Sequence, residues 1–202
     1  VWFALTFWAY LTTHSVISTS IVAGLQLVTA AILSIWFGSI VDHHKKKTAM
    51  LASSIATLVL FAAGLLYYLS QPESVFHSVW NIEFWIFALI LLLGSVAGTM
   101  YTIAVPTLIG LLVPEKERDK ANGLYGTVTG VSFALTSVAS GIVLAFGGMY
   151  WVLVAAIVFT LVAILGLFII QVPEKHIIHT EKREKIDIKG TLRAVRAVPG
   201  LL

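Results

Sequence analysis

The residues best placed to do chemistry in this sequence lie in two short polar segments. The first is Gly38-Ser39-Ile40-Val41-Asp42-His43-His44-Lys45-Lys46-Lys47, an acid four residues after a glycine and directly before a basic cluster. A carboxylate at the C-terminal end of a helix meets the negative end of its own macrodipole, so Asp42 does not serve that helix. It suits pairing with a basic side chain or with the positive N-terminus of another helix, the chemistry of a latch rather than of a catalyst. Gly38 would let a second backbone approach closely. The alternative for the same residues is an ordinary polar loop whose lysines only set orientation in a membrane. The second segment runs Leu112-Val113-Pro114-Glu115-Lys116-Glu117-Arg118-Asp119-Lys120-Ala121-Asn122-Gly123-Leu124. Pro114 ends one helix, and Asn122 or Gly123 can begin the next.

The other candidate groups are polar but neutral. Gln26 and Thr29, then Thr99, Tyr101 and Thr102, then Tyr125 and Ser132 stand in otherwise apolar stretches. Such groups beside aromatics would line a cavity for an amphipathic small-molecule substrate; helix–helix hydrogen bonding is the competing use. Gln26 is the strongest candidate, because an amide facing lipid is costly. Gly94-x-x-x-Gly98, Gly126-x-x-x-Gly130 and Ser137-x-x-x-Gly141 put small residues four apart, which makes flat strips for close helix packing. His176 and His179 could share a metal ion, but no third ligand is evident and no metal site is assigned. The chain has no Cys, which excludes disulfides, metal thiolates and thiol nucleophiles. It carries no G-x-S-x-G, H-E-x-x-H or G-x-x-x-x-G-K-[ST] motif. No catalytic residue and no cofactor are therefore assigned, and the chain is not read as an enzyme.

The elements that must position these groups are membrane helices. Of 202 residues, 58% are hydrophobic and 11% charged, against roughly 25% charged in soluble domains; mean hydropathy is +0.94. Stretches 1–41, 48–72, 84–113 and 123–172 hold no Asp, Glu, Lys or Arg. A spanning helix needs roughly 20 predominantly apolar residues, so the last block has room for two. Backbone amides in hydrocarbon must bond to one another, which leaves helices or closed barrels. The blocks lack the alternation of barrel strands. The reading is an all-α membrane protein, a six-helix transmembrane bundle over 1–172, with spans at about 1–12, 16–41, 48–70, 84–113, 122–146 and 150–172. The first span reads as truncated, both chain ends read as cuts in a longer protein, and 173–202 reads as a linker. Pro106 predicts tilt or a kink in the fourth span. The weakest break is Gly147-Gly148, marked by two glycines alone.

All thirteen Lys and Arg fall in three segments: after the second span, after the fourth, and between Lys175 and Arg196. The positive-inside rule puts 42–47, 114–122 and the tail 173–202 in the cytoplasm. The net charge of +3 and pI of 9.2 follow from that bias and from anionic lipid; no nucleic-acid partner is implied. Ile188, Leu192 and Val195 oppose Lys189, Arg193 and Arg196, the pattern of a short amphipathic helix on the membrane surface, with a solvated linker the alternative. Trp2, Trp8, Trp80, Trp85 and Trp151 fall near expected interfaces, as an aromatic belt would.

The first segment resembles the cytoplasmic loop motif G-x-x-x-D-R-x-x-R-R/K of the major facilitator superfamily, with Gly38, Asp42, Lys46 and Lys47 in register and His43 where Arg is usual. The second is similar to that family's loop between spans four and five, with a V-P-E…R…A-N-G-L pattern carried by Arg118 and Asn122. The G-P-x-x-G-G signature of many exporters of the family is reduced to Gly141 after Ser140. The resemblance implies the N-terminal half of a secondary transporter in a bacterial cytoplasmic membrane, working by alternating access against a C-terminal half of the same chain. It leans toward efflux, and it implies that Asp42 and its basic neighbours latch the cytoplasmic gate. Two other classes stand beside it. The membrane domain of an ABC-type exporter would need longer cytoplasmic helix extensions than 42–47 and 114–122 allow. A non-transporting scaffold or intramembrane enzyme is the third, and an enzyme would need ionisable groups within the spans.

Overall fold

A computed structural model describes residues 1–170. The expected linker 173–202, with His176, His179 and the amphipathic stretch 188–196, lies outside the described residues. Five α-helices follow in order: α1 (Trp2–Thr13), α2 (Val16–His43), α3 (Lys46–Ser70), α4 (Ile82–Leu112) and α5 (Arg118–Ile169). Short 3-10 turns at Glu73–His77 and Glu115–Glu117 precede α4 and α5. Four stretches are long and apolar enough to cross a membrane: Val16–His43, Lys46–Ser70, Ile82–Leu112 and Glu115–Ile169. The 12 residues of α1 reach only about 18 Å at 1.5 Å per residue.

Each break has a local cause. After α1, His14 adopts a left-handed conformation (φ 49°), and the Ser15 hydroxyl accepts from the Ser18 amide at 3.3 Å to cap α2. Between α3 and α4 the 3-10 turn drives Phe76 into the core. α4 remains one helix through Pro106. Two expectations need correction. Asn122 does not begin the last helix, because α5 starts at Arg118; Glu115, Glu117 and Asp119 place negative charge at its positive N-terminus and favour the earlier start. Trp8 is no interface anchor: it is buried and stacks on Phe84 at 5.6 Å.

Residue Gly148 interrupts α5 with φ 71° and ψ −176°, a region reserved for glycine. The rest of α5 shows what this does. It leaves the end of α4 at Arg118, which bonds to Val113. It reaches a cluster of α1 and α4 residues at Leu144–Leu153. It then returns, so that Leu167 packs with Val41 of α2, Ala49 of α3 and Ala104 of α4. The helix is thus a hairpin of two arms.

Two apolar clusters hold the ends of the bundle. One is aromatic, with Trp8 in ring contact with Phe76, Phe84 and Phe87, Phe76 against Phe87, and Tyr68 stacked on Phe76 at 5.3 Å. The other gathers Val41, Ala49, Met50, Met100, Ala104 and Leu167. Between them runs the seam of α3 against α4, which are antiparallel: the Ser53 hydroxyl donates to the Ala97 carbonyl at 2.8 Å and Thr57 to the Gly94 carbonyl at 3.1 Å. The remaining large faces are apolar and open, among them Ile17, Leu27, Ile32, Leu66, Phe146 and Phe159. Exposed surface of this kind suits hydrocarbon or a further apolar partner rather than water.

Candidate functional site

The first candidate site is the basic end of the bundle. Helix C-termini leave carbonyls without partners and carry partial negative charge. Here basic side chains take both up. At the end of α2, the His43 Nδ1 lies 2.7 Å from the Ser39 carbonyl and the His44 Nδ1 3.0 Å from that of Ile40. The Lys46 ammonium donates to the Asp42 carbonyl at 3.1 Å and reaches the His44 carbonyl at 3.5 Å. The Lys47 ammonium crosses to the end of α5 and donates to the Ile170 carbonyl at 2.6 Å. Arg118 Nε donates to the Val113 carbonyl at 3.1 Å, at the end of α4. Lys46 is buried, with 9% of its surface exposed, whereas the Asp42 carboxylate is on the surface. Nothing lies within 4 Å of the Cβ position of Gly38, so among the described residues no helix makes the close approach it would allow. Asn122 is exposed on the first turns of α5.

The second candidate site is the set of neutral polar groups. Gln26 is 8% exposed, and its Oε1 finds no hydrogen-bond partner among the described residues. The Trp2 Nε1 is likewise buried and unpartnered. Trp2 is eleven residues before the end of α1 and Gln26 ten residues after the start of α2. In an antiparallel hairpin these positions share a level to within about 1.5 Å. A donor and an acceptor thus stand unsatisfied at one depth, where each costs roughly 1–3 kcal/mol. Thr29 is half-buried on the same helix. Tyr101 on α4 and Tyr125 on α5 are each half-buried. The Thr102 hydroxyl is exposed and donates to its own helix, at the Thr99 carbonyl, 2.7 Å away.

The small-residue strips divide in two. A Cβ on Gly94 would sit 2.6 Å from Phe61 Cε1, and one on Gly98 3.5 Å from Thr57 Oγ1, so this strip meets α3. Gly126, Gly130 and Gly141 have nothing within 4 Å. Their strip is bare among the described residues. Sequence reasoning missed the α3 side of the seam. Ser53, Thr57, Phe61 and Gly64 recur at helical spacing on one face, and the Gly64 Cβ position lies 2.6 Å from Leu91 Cδ2.

Comparison with known proteins agrees with this architecture. The chain is 27% identical over 187 residues to the inner membrane transport protein YajR of Escherichia coli (strain K12), an alignment covering 90% of this chain and 36% of that protein. The chain thus spans about a third of the length of the curated relative it matches. No solved structure matches it. The family model described as Major Facilitator Superfamily matches residues 1–202. Four helices fit to cross a bilayer, a relative of the inner membrane and a family match along the whole sequence lead to one conclusion: this integral membrane chain belongs to the Major Facilitator Superfamily.

Proposed function

We propose that the chain is the N-terminal half of a secondary transporter that moves a small molecule across the cytoplasmic membrane by alternating access, with no chemical conversion of its cargo. In this reading α1 is the end of a first span, and α2, α3, α4 and the two arms of α5 complete six. The basic end faces the cytoplasm. Asp42, His43, Lys46 and Lys47, with Arg118 and Asn122 in the second loop, form the cytoplasmic gate; Gln26, Thr29, Tyr101, Thr102 and Tyr125 contribute to the substrate path. Export is the favoured direction, as the resemblance of the loop motifs implies.

The observation that carries the reading is the first arm of α5. Leu124, Val128, Val131, Leu135, Val138 and Ile142 share one side of it, while Gly126, Thr129, Gly130, Thr136, Ser140 and Gly141 share the opposite side. Both sides are largely uncovered, apart from contacts such as Phe3 against Phe133. A helix bathed in lipid all round has no use for a glycine and hydroxyl face. Such a face fits a second bundle and a polar path between the two halves. The relative YajR extends well beyond the aligned region, which supports a second bundle in the same polypeptide.

The test uses the full-length protein in proteoliposomes loaded with a panel of small-molecule tracers, with and without an imposed proton gradient. Gradient-dependent movement of at least one tracer, lost in Asp42→Asn at unchanged insertion, is the expected result. Retention of every tracer by the native protein removes the transporter reading, and Asp42→Asn transporting at the native rate removes the gate. Cysteine labelling supplies the orientation: residues placed at 46 and 120 must react from the same side.

A further inference from the structure

A recess of about 350 Å3 lies among α3, α4 and the second arm of α5, walled by Ser53, Ser54, Thr57, Tyr101, Phe159 and Thr160. No residue of α1, α2 or the first arm of α5 lies on its wall, and of the residues assigned above to the substrate path it shares Tyr101 alone. The volume is that of on the order of ten water molecules, enough for one substituted aromatic ring.

Its hydroxyls are not equivalent. Ser53, Thr57 and Thr160 have spent their protons on backbone carbonyls, of Ala97 at 2.8 Å, Gly94 at 3.1 Å and Ala156 at 2.7 Å. What they offer to the recess is lone pairs. Ser54 is different: it is 7% exposed, lines the recess, and its hydroxyl, like the Tyr101 phenol on the same wall, bonds to no described residue. A serine within a helix commonly satisfies itself on the carbonyl a turn earlier, as Ser95 does at 2.9 Å on Leu91. The Ser54 proton remains to be given. Ser54 lies eight residues inside α3, about 12 Å from its end, where lipid supplies no partner.

We propose that this recess is a second binding site, taking a neutral aromatic molecule that bears a hydroxyl group. The guest's O–H donates to the spent hydroxyls and its oxygen accepts from Ser54, while Tyr101 and Phe159 hold the ring. No wall residue is charged, so an ionised guest would be desolvated without compensation. An ether can accept from Ser54 but leaves the acceptors of Ser53, Thr57 and Thr160 unanswered.

The experiment uses the full-length protein in lipid nanodiscs and benzyl alcohol carrying a diazirine, with labelled residues mapped by mass spectrometry. Labelling is expected within 53–57 and 159–163, displaced by excess benzyl alcohol and not by anisole. Ser54→Ala raises the competing concentration needed about tenfold, the value of one buried hydrogen bond. Ala163 also lies on the wall, so Ala163→Leu fills the recess and abolishes the labelling. Equal displacement by anisole, labelling spread evenly over lipid-facing positions such as Leu66 and Val158, or an unchanged competition curve in Ser54→Ala would each overturn the proposal. Native gel-filtration profiles of both variants keep loss of fold from imitating loss of the site.

Discussion

Gly94→Ala is a one-carbon perturbation whose consequence the seam of α3 and α4 makes calculable. The new Cβ would lie 2.6 Å from Phe61 Cε1, 2.8 Å from its Cδ1 and 3.2 Å from the Leu60 Cβ. Ordinary contact needs about 3.5–4.0 Å between carbons, so ring or helix must give by about 1 Å. Phe61 is 5% exposed and belongs to the aromatic-end cluster, which leaves its ring little room to turn. Overpacking of this sort costs about 1–3 kcal/mol. Parting the helices also stretches the Thr57 to Gly94 hydrogen bond, worth about 0.6 kcal/mol in membrane proteins. Against this stands the helix preference of Ala over Gly, about 1 kcal/mol. The balance is a loss of about 0.6–2.6 kcal/mol, a factor of roughly 3–80 in the unfolding equilibrium. Gly98→Ala is the internal control, since its Cβ would meet only Thr57 Oγ1 at 3.5 Å; it should be neutral or slightly stabilising. Phe61→Leu added to Gly94→Ala should recover part of the loss. Reversible unfolding of the full-length protein in mixed micelles measures all three against the native protein. If Gly94→Ala and Gly98→Ala behave alike, and Phe61→Leu gives no recovery, the close approach assigned to Gly94 is wrong.

Three further outcomes are expected. Gly148→Ala forces a side chain into φ 71°, ψ −176°, and should cost about 1–3 kcal/mol in the same unfolding assay; no loss would mean the two arms do not depend on that torsion. Gln26→Leu removes an unpartnered buried oxygen and should raise stability by about 1–3 kcal/mol while slowing transport; a destabilised variant would show that the amide has a partner. Arg118→Ala uncaps the Val113 carbonyl and should cost up to about 1 kcal/mol, less at high salt; a loss independent of ionic strength would rule out the electrostatic account.

The parts legible in the sequence were those enforced by the solvent. Charge cannot enter hydrocarbon cheaply, so the ends of α3 and α4 fall within two residues of the ends of charge-free blocks, and Gly147-Gly148 coincides with the break in α5, whereas the break between α1 and α2 lies inside the charge-free block 1–41. The burial of Gln26 followed from the cost of an amide in lipid. What the pattern could not give was facing. When both lipid and protein interior are apolar, a helix loses the polar side by which its buried face is normally recognised, so the Ser53, Thr57, Phe61 and Gly64 face of α3 passed unnoticed. Trp8 was assigned to an interface for the same reason, since an indole suits a membrane surface and an aromatic core equally. Asn122 was misplaced as a helix start because cap residues were weighed above the acidic turn at Glu115–Glu117, which begins the helix earlier. The basic residues were read as markers of sidedness; that they also close the ends of α2, α4 and α5 depends on distances no spacing rule supplies.

The reversal at Gly148 also bears on how this protein can be altered. A straight helix as long as α5 would measure about 78 Å, more than twice the hydrocarbon thickness. Doubling back at one α-carbon lays the second arm along the bundle instead of extending the helix, without spending any residues on a connecting loop. Such a turn leaves no slack for an inserted tag, a protease or a grafted epitope. The 71–81 connection, eleven residues long and already carrying a turn of its own, is the place on that end of the molecule where added sequence can be accommodated.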